Sequence, residues 1–136
     1  MKDYLPTFQQ NIDKTKLRLL NASVLSFVGD SVQTLFVRTE LALECGSNTN
    51  ALHRLVASKI NATAQAEAGR KILPKLTEIE TDVFKRCRNY KTQTVAKNAL
   101  VTDYKIASGL EGLIGYLYLG GEHDRLSELL RLAYSE

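Results

Sequence analysis

The sequence has no tryptophan, and only two prolines, two cysteines and one methionine. Each scarcity excludes something. Cys45 and Cys87 stand far apart, with no further Cys or His at ligand spacing. Neither a disulfide framework nor a thiolate zinc site is indicated, and a reducing, cytoplasmic setting is expected. No apolar stretch reaches the roughly 20 residues that a membrane helix needs, and Met1-Lys2-Asp3-Tyr4-Leu5-Pro6 has no apolar signal core. There is no Gly-rich phosphate loop and no G-x-S-x-G elbow, so nucleotide-loop and serine-hydrolase chemistry are both disfavoured. His53 and His123 are isolated and read as structural. Strand-like alternation is also scarce. The chain has 136 residues, 44% of them hydrophobic. That is enough for one core, and an all-α domain is expected.

What is present is helical periodicity with strong punctuation. Residues 1–18 read as a polar lead-in, broken by Pro6 and with room for a short helical turn; 19–136 read as one domain. Asn21 is a good N-cap for a long apolar helix that ends near Cys45-Gly46. Val24, Leu25, Val28, Val32, Leu35, Phe36 and Val37 recur on it at spacings of three and four, covering most of its circumference, so it is expected to be buried between neighbours. A second helix is expected from Ala51 to Leu73, stopped by Pro74. Thr77 with Glu80 forms a capping box for a third. Residues 89–99 lack a period and read as a loop. Leu100 to Leu119 is the next helix, and Glu122 to Tyr134 the last. The sum is five or six helices.

Two acids break the local rules. Gly29-Asp30 lies inside the first long helix, where glycine costs about 1 kcal/mol relative to alanine and aspartate is a weak former. Glu111 stands mid-helix between Gly109, Gly112 and Gly115, whose spacing of three leaves one side free for close packing. The acids are 81 positions apart, yet they meet if the two helices pack. Two adjacent carboxylates repel unless a proton or a cation lies between them. Oxygen ligands of this kind suit Mg²⁺ or Mn²⁺, and a divalent ion beside a basic segment suits phosphoryl chemistry. Read from residues alone, the alternative is that each acid pairs with a nearby arginine.

The net charge is only +3, but six of the eighteen Lys and Arg lie between Lys85 and Lys105, against the single acid Asp103. Arg86, Arg88, Asn89, Lys91, Lys97 and Asn98 are the candidate phosphate contacts. Arg86-Cys87-Arg88-Asn89 equally fits a solvated helix end, where cations favour the dipole.

Phe27-Val28-Gly29-Asp30-Ser31-Val32 resembles the signature of ribonuclease III catalytic domains. Leu110-Glu111-Gly112-Leu113-Ile114-Gly115-Tyr116-Leu117-Tyr118-Leu119 resembles that family's second acidic helix. The middle segment, from Arg86 to Asn89 with Lys91, Lys97-Asn98 and Tyr104, resembles the short Mini-ribonuclease III branch, which lacks a double-stranded RNA-binding domain. Leu52-His53 and Gln65-Ala66-Glu67 also fit it. The larger family carries two more acids, where this chain has Ser26 and Ser108.

The resemblance implies a helical-bundle endonuclease domain acting as a homodimer on double-stranded RNA. Asp30 and Glu111 would be catalytic and would hold Mg²⁺, with Mn²⁺ as substitute and Ser26 and Ser108 contributing through water. It implies 5′-phosphate products, precursor large-subunit (23S) ribosomal RNA as substrate, and a ribosomal protein as a further candidate partner. The alternative is a non-catalytic RNA- or ribosome-binding module on the same fold. A helical DNA-binding or adaptor protein fits less well, because the basic residues cluster at a helix end and not along a recognition helix.

Overall fold

Side-chain caps set most of the helix starts. The computed structural model describes residues 12–46, 48–90 and 101–135. Asp13 accepts from the Thr15 amide to start α1 (Lys14–Leu19), and Asn21 accepts from Ser23 to start α2 (Ala22–Cys45). Asn48 caps α3 (Thr49–Ile60), and Asn61 caps α4 (Ala62–Ile72), which runs into a 3₁₀ turn at Leu73–Lys75 around Pro74. Thr77 and Glu80 form the expected reciprocal capping box of α5 (Glu78–Arg88). The last two helices are α6 (Val101–Leu119) and α7 (His123–Ala133). All regular structure among the described residues is helical, as expected.

The single helix expected over Ala51–Leu73 is two. Asn61 is at once the C-cap of α3 and the N-cap of α4, with an extended backbone (ψ 162°). Its side-chain oxygen takes the Ala64 amide at 2.9 Å, which lets the backbone leave the helix. Apolar periodicity continues across the break, so the pattern alone does not mark it.

α6 is the central post, and α2, α4 and α5 pack around it. Its glycines make that possible. A Cβ on Gly115 would stand 2.0 Å from the Leu25 carbonyl oxygen, and one on Gly29 would stand 1.7 Å from that of Glu111. α2 and α6 therefore cross backbone against backbone. Gly109 seats the Phe84 ring and Gly112 seats Cys87, which brings α5 to the same post. Leu126, Leu129, Leu130 and Ala133 of α7 close the core. Arg70 on α4 pairs with the buried Asp103 on α6 at 2.6 Å. Arg125 on α7 reaches Glu80 at 2.8 Å and also the Lys75 carbonyl.

α2 departs from the expectation of burial all round. Leu25, Gly29, Val32, Phe36 and Val37 are buried, but Val24, Phe27 and Leu35 form an open stripe on the opposite side, Phe27 being 78% exposed. The helices of the described residues cover only one face of α2. Asp30 lies beside this stripe and is exposed, not turned into the core as its setting suggested. No helix among the described residues is long and apolar enough to cross a membrane.

Candidate active site

The crossing at Gly29 and Gly115 decides where the two acids go. Asp30 follows Gly29 on α2, and the carbonyl of Glu111 is the atom that Gly29 leaves room for. With no side chain holding the helices apart, the Asp30 and Glu111 carboxyls come within hydrogen-bonding reach. Glu111 is half-buried. Burial, then the charge of Asp30, then the hydrogen bond with it push the Glu111 carboxyl up to about 8. Among the described residues, no cation is paired with either acid: Arg70 is engaged by Asp103, and Arg125 by Glu80 and Glu128. The arginine-paired alternative therefore finds no support in the described residues.

Such a pair is suited to a cation. Its donors are hard oxygens, which fit Mg²⁺ or Mn²⁺ better than soft metals. Among the described residues, no group of three or more His, Cys, Asp or Glu is placed to hold a metal ion, so the two facing carboxyls are a pair and not part of a larger cluster. Ser26 and Ser108 lie at the same crossing. The Ser26 hydroxyl donates to the Ser108 carbonyl at 3.2 Å, and the Ser108 hydroxyl to the Tyr104 carbonyl at 3.1 Å. Each keeps oxygen lone pairs but has its proton committed to the backbone.

The end of α5 adjoins this site. Cys87 packs where Gly112 leaves space, beside Ser26 and one turn of α2 before Asp30. Burial pushes the Cys87 thiol up to about 11, so it is an inert core group. Arg88 is half-buried, and its Nε donates to the Asn89 side chain at 3.1 Å; Asn89 is the C-cap of α5. Arg86 is exposed, but it has a structural contact that the sequence did not suggest: its guanidinium donates to the Arg18 carbonyl at 2.7 Å. Lys91, Lys97 and Asn98 lie outside the described residues.

A buried polar chain behind the site went unpredicted. Gln65 on α4 donates to Gln33 on α2 at 3.1 Å, and the Gln33 amide donates to the Tyr134 hydroxyl. Gln33 is completely buried. Burial pushes the Tyr134 hydroxyl up to about 12, with the Gln33 hydrogen bond opposing and the charge of Glu111 adding to the shift. Tyr134 thus lies within electrostatic range of Glu111. The available signal was Gln33 itself: it sits four residues after Gly29 and four before Val37, on the core face of α2. Gln65 enters the sequence resemblance without a role.

The Ribonuclease III domain family model matches residues 23–122. The Mini-ribonuclease 3 of Thermoanaerobacter sp. is 40% identical over 114 residues, covering 84% of this chain and 80% of that one. That of Clostridium tetani is 40% identical over 124 residues, covering 90% and 82%. That of Staphylococcus aureus is 36% identical over 122 residues, covering 88% and 91%. Among solved structures, an X-ray structure of a Fusobacterium nucleatum protein superposes with a TM-score of 0.75 at 30% identity, over 85% of this chain and 92% of that one. The matched segment contains both acidic helices and their glycine crossing, and the chain belongs to the ribonuclease III family, in its Mini-ribonuclease 3 branch.

Proposed function

We propose that this ribonuclease III family endoribonuclease hydrolyses phosphodiester bonds in double-stranded RNA, with Mg²⁺, or Mn²⁺ in its place, held between Asp30 and Glu111. One observation carries the reading: two carboxyls face each other across the α2–α6 crossing with no cation from the described residues between them. Asp30 and Glu111 would hold the ion, which when bound would supply Lewis acidity toward the phosphodiester. The rest falls to the chain, with residues 19–136 as the catalytic domain. Asp30, on the exposed edge, faces the incoming strand, while Glu111 anchors the site from the post of the fold. Ser26 and Ser108 contribute through water. Arg86, Arg88 and Asn89, with Lys91, Lys97 and Asn98, hold phosphates, and hydrolysis leaves 5′-phosphate ends.

The open stripe of Val24, Phe27 and Leu35 on α2 supports a homodimer, since a second copy would cover it and set two acid pairs along one RNA surface. Precursor large-subunit (23S) ribosomal RNA is the proposed substrate in the cytoplasm, with a ribosomal protein as a candidate assistant.

Cleavage of structured duplex RNA in Mg²⁺ tests this, comparing the native protein with Asp30→Asn and Glu111→Gln. The native protein is expected to cut, and both variants to bind while losing roughly 10³-fold in rate, equivalent to several kcal/mol. If the native protein binds several stems, precursor ribosomal RNA included, and cuts none in Mg²⁺ or Mn²⁺, a non-catalytic RNA- or ribosome-binding module replaces the nuclease reading.

A further inference from the structure

The segment before the family match has a structured end. α1 precedes residue 23, where the match begins. It is six residues long, Lys14-Thr15-Lys16-Leu17-Arg18-Leu19. So short a helix does not hold itself together in water. Two contacts hold this one. Leu17 is 3% exposed and packs against Gly120 at the end of α6, and Arg86 of α5 donates to the Arg18 carbonyl.

That anchoring presents three cations. Lys14, Lys16 and Arg18 are all exposed, and no acid among the described residues pairs with any of them. The acids nearby are otherwise arranged. Asp13 caps the Thr15 amide, and Glu80 is held by Arg125. Asp82 and Glu122 line the flanking grooves without closing on α1. Lys14 and Arg18, one turn apart, line a groove of about 590 Å³. Arg18 also shares a second groove, of about 260 Å³, with Arg86 and Ile79. The two basic regions therefore join: from the acid pair, the α5 end follows through Cys87 at Gly112, and α1 follows through Arg86 at Arg18.

We infer that α1 is a second phosphate-contact surface for duplex RNA, with Lys14, Lys16 and Arg18 extending the track that begins at the α5 end. This rests on the duplex-RNA reading of the active site. A-form RNA is held largely through its phosphates and 2′-hydroxyls. Exposed, unpaired cations meet phosphates by releasing counterions, which costs the fold nothing. Arg86 then has a positioning role as well, since its hydrogen bond sets where Arg18 stands.

The test is equilibrium binding of a blunt-ended RNA duplex in chelator, over a range of salt, together with steady-state cleavage in Mg²⁺. The Lys14→Gln/Lys16→Gln/Arg18→Gln variant is expected to bind roughly tenfold more weakly near physiological salt. The slope of log affinity against log salt should become shallower by about two to three. Cleavage at saturating RNA should stay at the native rate, so the effect falls on KM. The Lys14→Gln/Lys16→Gln variant removes only side chains with no hydrogen bond or ion pair among the described residues, and should give a proportionate part of the effect at unchanged melting temperature. Arg18→Lys alone, which keeps the charge, should retain the native slope. If the native slope persists in the triple variant, α1 does not touch RNA, whatever the nuclease result. Losing affinity for anionic vesicles but not for duplex RNA would also overturn the inference. If the native protein neither binds nor cuts duplex RNA, the active-site reading fails and this inference fails with it.

Discussion

Glu80 and Glu111 are both glutamates on helices packed around the same core, and the fold treats them oppositely. Glu80 is 6% exposed, yet its carboxyl is held below the ordinary range, chiefly by hydrogen bonding to Arg125 and despite the cost of burial. It also closes the capping box with Thr77. Glu111 meets Asp30 instead of an arginine and is pushed up to about 8. The first acid has its counter-charge built into the protein and can only be structural. The second lacks one among the described residues, which is the condition for taking a cation from solution. The fold thus separates an acid closed by an arginine from one left facing another acid, and it does so by partner, since both are shielded from water.

The sharpest way to break this comparison is to neutralise each acid in turn. Glu111→Gln is expected to lose roughly 10³-fold in cleavage while the melting temperature holds or rises. Glu80→Gln should lower the melting temperature while cleavage by the folded fraction stays near native. If both variants lose activity equally with their folds intact, the division between stapling and binding acids is wrong.

Next is the crossing that brings Asp30 and Glu111 together. Gly29→Ala places a Cβ 1.7 Å from the Glu111 carbonyl oxygen, where only backbone can yield. It should destabilise the fold by about 3 kcal/mol, measured by urea unfolding, and should weaken cleavage by moving the carboxyls apart. On the stapling side, Arg125→Ala leaves Glu80 buried and unpaired. It should cost about 2 kcal/mol, discounted because the Arg125 side chain is 26% exposed. A neutral result would mean that solvent replaces the arginine freely.

The two acids should also give opposite pH dependences. The Glu111 pKa is raised in the folded state, so its contribution to stability is fully present below the unfolded value of 4.5 and is lost as pH rises to about 8. Glu80 is lowered, so its contribution is present above 4.5 and is lost as pH falls through the folded value. In chelator, Glu111→Gln should therefore match the native protein below pH 4.5 and exceed it at pH 9, by at most about 5 kcal/mol. Mg²⁺ should stabilise the native protein more at pH 8 than at pH 5, because binding needs the ionised carboxylate. Thermal melts at both pH values decide this; an Mg²⁺ shift independent of pH would remove Glu111 from the ligand set. The smallest effect is expected for Tyr134→Phe, which leaves the Gln33 amide without its acceptor. It should cost about 1 kcal/mol, with cleavage close to native.

Much of the chain was legible one residue at a time. Asn21, and Thr77 with Glu80, mark helix starts because their side chains act on backbone groups two or three residues away. Gly109, Gly112 and Gly115 announced close packing, and Gly29-Asp30 and Glu111 stood out by violating helix propensity. Asn61 was hidden because the apolar period runs straight through it. Arg86 read as a free cation because its acceptor, the Arg18 carbonyl, belongs to another helix. The open face of α2 was misjudged because composition counts apolar positions and not the neighbours available to cover them.

By itself, then, the sequence determined the helical class, most of the helix boundaries and the two acids that break helix propensity. These depend on local hydrogen bonding and on side-chain identity. Tertiary structure alone decided that Asp30 and Glu111 face each other without an arginine, that Glu80 has one, and that α1 is held against the end of α5. Those outcomes depend on which helices touch and how closely, set here by the missing Cβ atoms of Gly29 and Gly115, whose consequences appear only when residues more than eighty positions apart in the sequence meet.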